Sequence, residues 1–194
     1  MPPIAPEVWK RILQDYDRHH CCNEKEEIAW FRSQPSLRAA IECAARAVNR
    51  RGKRYSHQSR IRRESIAHAL AALLAIEARL ARAESFDALL KFISDQLKPV
   101  PGIGELYCYD TAFRIGARLG LLPQRVYLHS GTRIGAAKLG LPSHKSALEL
   151  NELPTPLRRR APHEIEDILC IYKDHFGDEA FADAGCAPVR RHRC

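Results

Sequence analysis

A short stretch rich in glycine is the part of the sequence best suited to binding a ligand. It reads Val100-Pro101-Gly102-Ile103-Gly104 and lies between two apolar segments that favour helices. Glycine lets a backbone come close to a ligand, and the first N–H groups of a helix have no partner within that helix. Because the same end of a helix is electropositive, we expect Gly102, Ile103 and Gly104 to form an anion site.

A basic segment precedes this stretch. Residues 46–63 include eight lysines and arginines and no acidic residue, and the formal net charge of the whole chain is +8. The eight residues are Arg46, Arg50, Arg51, Lys53, Arg54, Arg60, Arg62 and Arg63. A local positive field of this kind attracts polyanions. We expect Arg60, Arg62 and Arg63 to contact phosphate groups.

Residues 129–133, which read His-Ser-Gly-Thr-Arg, form a second candidate anion site. A Gly-Thr pair at a helix start, followed by arginine, offers N–H donors, the Thr132 hydroxyl and the Arg133 charge together. In the alternative interpretation, Thr132 only caps the helix and His129 is an ordinary loop residue.

Tyr107, Asp110 and His129 are weaker candidates for catalysis. A phenol, a carboxylate and an imidazole can exchange protons with a substrate such as a nucleobase or a phosphorylated small molecule. In the alternative interpretation, Asp110 is a carboxylate on a helix surface or a buried one with a partner.

Metal and cofactor sites have no support in the sequence. Residues 19–22 read His-His-Cys-Cys, but adjacent side chains diverge, whereas zinc ligands are usually paired about two to four residues apart. We therefore predict no metal and no cofactor. The seven cysteines are scattered through a chain without a visible export signal. We expect reduced thiols, including Cys43 and Cys170, and a cytoplasmic protein.

Helix signals follow one another along the chain and predict an all-α protein. The clearest helix runs from Glu64 to about Ala83, where strong helix formers dominate. Ser85 suits the start of a helix that ends at Leu97, and Gly120 suits a helix end. Further helices are predicted at residues 6–19, after 23, from 35, at 104–120, at 132–140 and from 162. Only residues 125–128 favour a strand, which is too short to form a sheet alone.

We divide the chain into four regions. These are a helical N-terminal region (1–50), a basic linker (51–63), a helical bundle-like domain (64–176) and a flexible basic tail (177–194). The linker is predicted because helical periodicity is lost there. The most apolar stretch, 66–76, is much shorter than the roughly 20 residues of a membrane span, so we expect no membrane insertion.

The string Arg-Ile-Gly-Ala is repeated within the predicted domain. It begins at Arg114 and again at Arg133. A glycine inside a helix costs about 1 kcal/mol relative to alanine, so Gly116 and Gly135 predict close approach of neighbouring helices. Alternatively, the repeat reflects composition alone.

The turn at residues 100–104 resembles the hairpin of helix-hairpin-helix proteins. In that family a hydrophobic-Pro-Gly-Ile/Val-Gly turn joins two helices, and its N–H groups bind nucleic-acid phosphate. The resemblance covers about residues 86–120 and implies phosphate contacts from Gly102, Ile103 and Gly104, with Ile103 also in the core. This chain departs from the family at Glu105, where lysine is frequent. Residues 97–173 also resemble uncharacterised bacterial proteins, which implies no activity.

Within that family, Tyr109-Asp110-Thr111 is similar to the Val-Asp-Thr stretch that holds the catalytic aspartate of DNA glycosylases. There the aspartate follows the hairpin by well over a dozen residues, whereas Asp110 comes six residues after Gly104. The second hairpin helix also lacks a lysine that could form a Schiff base. We therefore expect binding of the nucleic-acid phosphate backbone, largely independent of sequence, with DNA favoured over RNA. The alternatives are an enzyme with a site near Asp110 and His129, and a helical adaptor for an acidic protein.

Overall fold

A computed structural model of the 194-residue chain describes residues 4–178 together with Phe181 and Val189. The described part of the chain is predominantly helical, which confirms the all-α prediction. Its nine helices are α1 Pro6–His19, α2 Cys21–Arg32, α3 Leu37–Ala45, α4 Arg63–Ala75, α5 Glu77–Leu80, α6 Phe86–Leu97, α7 Glu105–Leu119, α8 Ser130–Lys138 and α9 Pro162–Ile171. Two short strands, β1 Val126–Tyr127 and β2 Ala147–Leu148, pair in antiparallel register.

The chain forms two compact units. The central unit is Lys25–Pro123, and the terminal unit combines Met1–Glu24 with Gln124–Cys194. The predicted linker at residues 51–63 lies inside the central unit, and the predicted domain at 64–176 contributes to both units. The basic segment is tied into the central unit, because Val48 pairs with Arg54 and the Arg54 side chain donates to the carbonyl of Ile61.

In the central unit, α7 packs against α3 and α6, and α4 packs against the same two helices. The Ser85 hydroxyl accepts a hydrogen bond from the N–H of Ala88 at 3.1 Å, so the predicted cap of α6 is confirmed. Gly120, with φ +76°, ends α7 in the left-handed conformation that favours glycine, as predicted. The buried residues of α6 recur every three or four positions: Phe86, Leu89, Ile93 and Leu97. Each such Leu or Ile contributes roughly 1.5–3 kcal/mol by its burial.

In the terminal unit, α8 packs against α9, and α9 also packs against β1. Its core draws on α1, both strands and α9, and includes Val8, Trp9, Ile12, Tyr16, Val126, Leu148, Ile165, Ile168, Leu169 and Tyr172. Phe181 and Val189 belong to the predicted flexible tail, yet both pack with this core. The Phe181 ring stacks on His175, and the N–H of Val189 donates to Asp15. The other residues from 179 to 194 lie outside the described part.

Three predicted helix boundaries are corrected. The predicted helix from Glu64 to Ala83 is interrupted at Ile76, which leaves the helical conformation between α4 and α5. Helix α8 begins at Ser130, two residues before the predicted cap Thr132. Helix α2 begins at Cys21, before the predicted cap Asn23.

Cysteine chemistry differs from the prediction at one position. Cys21, Cys22, Cys43 and Cys108 are thiols, whereas Cys170 takes part in a disulfide bond. The expectation of a reduced thiol at Cys170 is therefore wrong. In the described part of the chain, no cluster of three His, Cys, Asp or Glu residues is arranged to hold a metal. No helix there is long and apolar enough to cross a membrane.

Candidate nucleic-acid interface

The glycine turn joins α6 to α7, as its sequence predicts. The N–H of Val100 donates to the carbonyl of Leu97 at 2.9 Å, and the N–H of Ile103 donates to the carbonyl of Val100 at 3.3 Å. Gly102 has φ +78°, a left-handed conformation that strains any residue with a Cβ. The Ile103 N–H is therefore engaged in the turn, and the Ile103 side chain is half-buried.

Both glycines of the turn are exposed to solvent. Within the described residues, the N–H groups of Gly102 and Gly104 make no hydrogen bond. Gly104 precedes α7 and supplies no side-chain cap, so the first N–H groups of α7 also lack the partner that a cap would provide. These donors suit an anion that approaches the exposed turn.

The start of α4 lies beside this turn. A Cβ placed on Gly102 would stand 3.6 Å from the Oγ of Ser65, the third residue of α4. Arg62, the residue before α4, also makes no side-chain capping bond. Two helix N-termini without a side-chain cap are thus close to each other, and the positive ends of both helix dipoles lie at this end of the central unit.

The predicted phosphate contacts from the basic segment lie at the same end. Arg62 and Arg63 stand two and three positions before Ser65 in the chain, and Arg60 lies shortly before them. All three are exposed, and none of them forms an ion pair with another described residue. The first turns of α4 and α7 also carry Glu64 and Glu105, which weaken the positive field there.

A polar cluster connects the basic segment to α7. Its members, here called the Asp110 cluster, are Glu27, Tyr55, His57, Gln58, Asp110 and Arg114. The Nε2 atoms of His57 and Gln58 each lie 2.7 Å from Oδ2 of Asp110. From the next turn of α7, Arg114 donates to Oε1 of Gln58 and to Oε1 of Glu27, both at 2.9 Å.

Arg114 is the buried cation of this cluster, with a side chain that is 3% exposed. Burial alone would lower the pKa of its guanidinium, but the Asp110 and Glu27 carboxylates outweigh burial and raise it. The guanidinium also lies over the ring of Tyr55, 3.9 Å from its centre. Burial raises the pKa of the Tyr55 hydroxyl well above its ordinary range.

The three residues first considered for catalysis are not brought together in one unit. Tyr107 and Asp110 belong to the central unit, whereas His129 belongs to the terminal unit. The Tyr107 hydroxyl is buried and donates to the carbonyl of Ala45, and burial raises its pKa well above its ordinary range. His129 is also buried and is paired with Glu166.

Asp110 is instead paired with His57, which the sequence analysis did not single out. The sequence signal was weak: His57 and Gln58 are two adjacent polar residues in the basic segment, where helical periodicity is lost. A separation of 53 residues hides this pairing from any local pattern.

The second candidate anion site has its polar groups engaged within the chain. The Thr132 hydroxyl is fully buried and accepts the N–H of His129 at 2.7 Å. Arg133 donates to the carbonyls of Ser143 and Lys145 at 3.1 and 2.7 Å. Thr132 thus stabilises the start of α8 from its third position, while the cap itself is His129, which is buried and not an ordinary loop residue.

The fold and the site together define an all-α protein whose central unit carries an exposed glycine turn, two adjacent helix N-termini and unpaired arginines. No protein-family model, curated protein or solved structure matches this chain.

Proposed function

We propose that the central unit binds the phosphate backbone of nucleic acid, largely independently of sequence. The observation that carries this proposal is the position of Ser65 against Gly102. It places Arg62, Arg63 and the start of α4 beside the exposed turn and the start of α7. Phosphate oxygens would accept hydrogen bonds from the turn and from the guanidinium groups.

Backbone contacts of this kind position a nucleic acid but do not read its sequence. The groups at the turn are N–H donors and arginines, which bind phosphate. No described side chain there is placed to contact the edges of bases. The resemblance of the turn to helix-hairpin-helix proteins makes DNA the first ligand to test, with RNA second. We also propose a cytoplasmic location. The disulfide bond of Cys170 is an argument against it, because disulfides are rare in the cytosol.

The arginines provide the most direct test. In the R62A/R63A variant we expect weaker binding to every sequence alike and a shallower dependence of affinity on salt. The slope of log K against log salt should fall by about 0.9 for each duplex phosphate contact that is lost. Binding is measured by fluorescence anisotropy with duplex DNA, single-stranded DNA and RNA over a range of salt concentrations.

The matched control is R79A/R82A, which removes two exposed arginines outside the basic segment, one in α5 and one in the segment that follows α5. It should leave both the affinity and the salt slope close to wild type. Equal losses in the two variants would show that binding depends only on net charge. If the wild-type protein binds no nucleic acid even at low salt, the proposal is wrong.

Gly104 allows a second variant in the same assay. A Cβ at Gly104 meets no atom within 4 Å, and its φ of −114° is open to any residue, so G104A should fold normally. Its methyl group would stand where phosphate approaches the turn. We expect a lower affinity with an unchanged salt slope, because no charge is removed. Unchanged affinity would exclude close backbone approach at Gly104.

A further inference from the structure

His57 and Asp110 form a pair with the geometry of an oriented base. The Nε2 atom of His57 lies 2.7 Å from Oδ2 of Asp110, and Gln58 donates to the same oxygen at 2.7 Å. Asp110 lies in α7, and His57 lies in a short 3₁₀ turn, Ser56–Gln58. Arg114 holds Gln58 in place through a further hydrogen bond, so the imidazole is attached to a rigid part of the central unit.

The pairing determines which ring nitrogen of His57 can take up a proton. A carboxylate can only accept hydrogen bonds, so the proton of the neutral imidazole lies on Nε2, and Nδ1 keeps its lone pair. Nδ1 makes no hydrogen bond with any described residue. The His57 side chain is 22% exposed, so a ligand can reach it. These are the properties of a general base that is held in one orientation.

The pair lies within reach of a strand bound at the glycine turn. Asp110 follows Gly104 by six residues in α7, which is about 9 Å along the helix axis. The chain from His57 leads directly to Arg60, Arg62 and the start of α4 beside that turn. Phosphates in one strand of a duplex follow one another about every 3.4 Å along the axis, so a few nucleotides cover the distance.

We infer that His57 is a catalytic base that cleaves an RNA strand bound at the glycine turn, with Asp110 as its positioning residue. The inference rests on the proposed function. RNA is the substrate because its 2′-hydroxyl lies next to the phosphate and serves as the nucleophile, whereas DNA lacks this group. Backbone contacts do not require deoxyribose, so RNA can occupy the same surface.

The reaction is a transesterification within the strand. Nδ1 of His57 takes the proton of the 2′-hydroxyl while the 2′-oxygen forms a bond to phosphorus. The bond between phosphorus and the 5′-oxygen breaks, the departing oxygen takes a proton from water, and His57 gives its proton to the resulting hydroxide. The products are a 2′,3′-cyclic phosphate and a 5′-hydroxyl. Arg62, Arg63 and the N–H groups of the turn hold a neighbouring phosphate of the same strand and so keep the strand in position.

The neighbours of the pair have supporting roles. Arg114 is buried and does not touch the substrate, and it keeps Asp110 and Gln58 in place. Tyr55 lies 6.0 Å from the His57 ring, measured between ring centres, and Glu27 binds the far side of Arg114. Asp110 is thus the carboxylate that faces His57 directly, and its hydrogen bond fixes the orientation of the ring.

The test compares H57Q with H68Q on three labelled oligonucleotides: all-RNA, all-DNA, and DNA that contains one ribonucleotide. His68 is an exposed histidine of α4 and serves as the matched control. We expect the wild type and H68Q to cleave RNA and to cut the mixed strand only after its ribonucleotide, with the cyclic phosphate identified by mass spectrometry. The cleavage rate of H57Q should be lower than that of the wild type by about 100-fold or more, with RNA affinity unchanged within about threefold.

Asp110 is tested by D110N, in which the side-chain amide can donate as well as accept a hydrogen bond and no longer fixes the proton of His57 on Nε2. The maximum rate should fall while KM for RNA stays unchanged. A merely structural role of Asp110 would instead lower the melting temperature or raise KM. Melting curves show whether each variant is folded, and cleavage of the mixed strand by the wild type tests the inference without any variant.

Different outcomes separate the inference from the proposed function. RNA that binds to the wild type but stays intact between about pH 6 and 9 overturns the inference and leaves the binding function in place. Cleavage that is equally fast in folded H57Q also overturns it, since the activity then comes from elsewhere. If RNA does not bind at all, both the inference and RNA binding by this surface fall together.

Discussion

The string Arg-Ile-Gly-Ala occurs once in each compact unit, and its two copies have different surroundings. In α7 of the central unit, Arg114 is buried between two carboxylates and Ile115 is fully buried. In α8 of the terminal unit, Arg133 binds backbone carbonyls and Ile134 is 47% exposed. The same four residue types thus serve an interior ion-pair network in one unit and a surface helix in the other.

The glycines of the two copies have a similar role. A Cβ on Gly116 would overlap the carbonyl oxygen of Leu121, and one on Gly135 would overlap that of Leu169 in α9. The prediction of close helix approach is confirmed at Gly135. At Gly116 the overlapping carbonyl instead follows the end of its own helix, and Leu89 of α6 is the nearest part of another helix. The glycine of a short string can thus mark where another part of the backbone packs closely against a helix. The partners of the neighbouring side chains depend on the surrounding fold.

The largest expected effect is that of R114A. It leaves Glu27 and Asp110 without their shared cation, and loss of one partner of a buried ion pair costs about 3–5 kcal/mol of unfolding free energy. R133A removes donors to two carbonyls near the surface and should cost about 1 kcal/mol. Urea unfolding followed by circular dichroism measures both.

R118A is the matched control for R114A. Arg118 lies in the last turn of the same helix and forms no hydrogen bond or ion pair with another described residue. We expect its unfolding free energy to stay within about 0.5 kcal/mol of wild type. Similar losses in R114A and R133A would remove the contrast between the two copies.

The two glycines should show the next largest effect, with similar size in both units. G116A and G135A each force a methyl group onto a backbone oxygen, so each should cost about 1–3 kcal/mol or more. G104A, whose Cβ meets open space, should change stability far less. Tolerance of alanine at either position would show that the backbone there can move apart.

Buried cysteines can show which of the two units is destabilised in G116A and in G135A. Cys108 in the central unit is buried, and burial raises the pKa of its thiol to about 11, so it should react slowly with an alkylating reagent until its unit opens. Cys21 in the terminal unit is also buried. We expect pulsed labelling to detect Cys108 first in G116A and Cys21 first in G135A. Labelling of both at the same denaturant concentration would indicate that the two units unfold together.

The smallest expected effect concerns acid sensitivity in the terminal unit. Burial lowers the pKa of His163, and the nearby Glu164 opposes this only in part. Because His163 is buried as the neutral imidazole, its contribution to the unfolding free energy is complete above about pH 6.5, where it is neutral in the unfolded chain as well. The contribution is lost as the pH falls through the lowered pKa of the folded state. Oε1 of Glu24 lies 3.8 Å from Nε2 of His163 and is a second nearby carboxylate.

H163Q should therefore reduce the shift of the urea midpoint between about pH 7.5 and 5.5. The control H68Q replaces an exposed histidine of the central unit and should retain the wild-type shift. An unchanged shift in H163Q would assign the acid sensitivity to other groups of the protein.

Much of the local structure could be predicted because its signals lie within a few residues of one another. The Ser85 cap, the Gly120 helix end and the turn at residues 100–104 depend on backbone conformations that specific residue types favour. Contacts between distant residues have no such local signal. The linker at residues 51–63 was inferred from lost periodicity, but its Gln58 is buried against α7.

The sequence by itself determined the helical class, the positions of most helix ends and the exposed glycine turn, because propensities and caps act over one or two helical turns. Only the tertiary structure decided that Ser65 lies beside Gly102, that Arg114 is buried, and that His57 orients toward Asp110. These contacts join residues 37 to 87 positions apart. Their formation depends on how whole helices pack, which no short window of residue types contains.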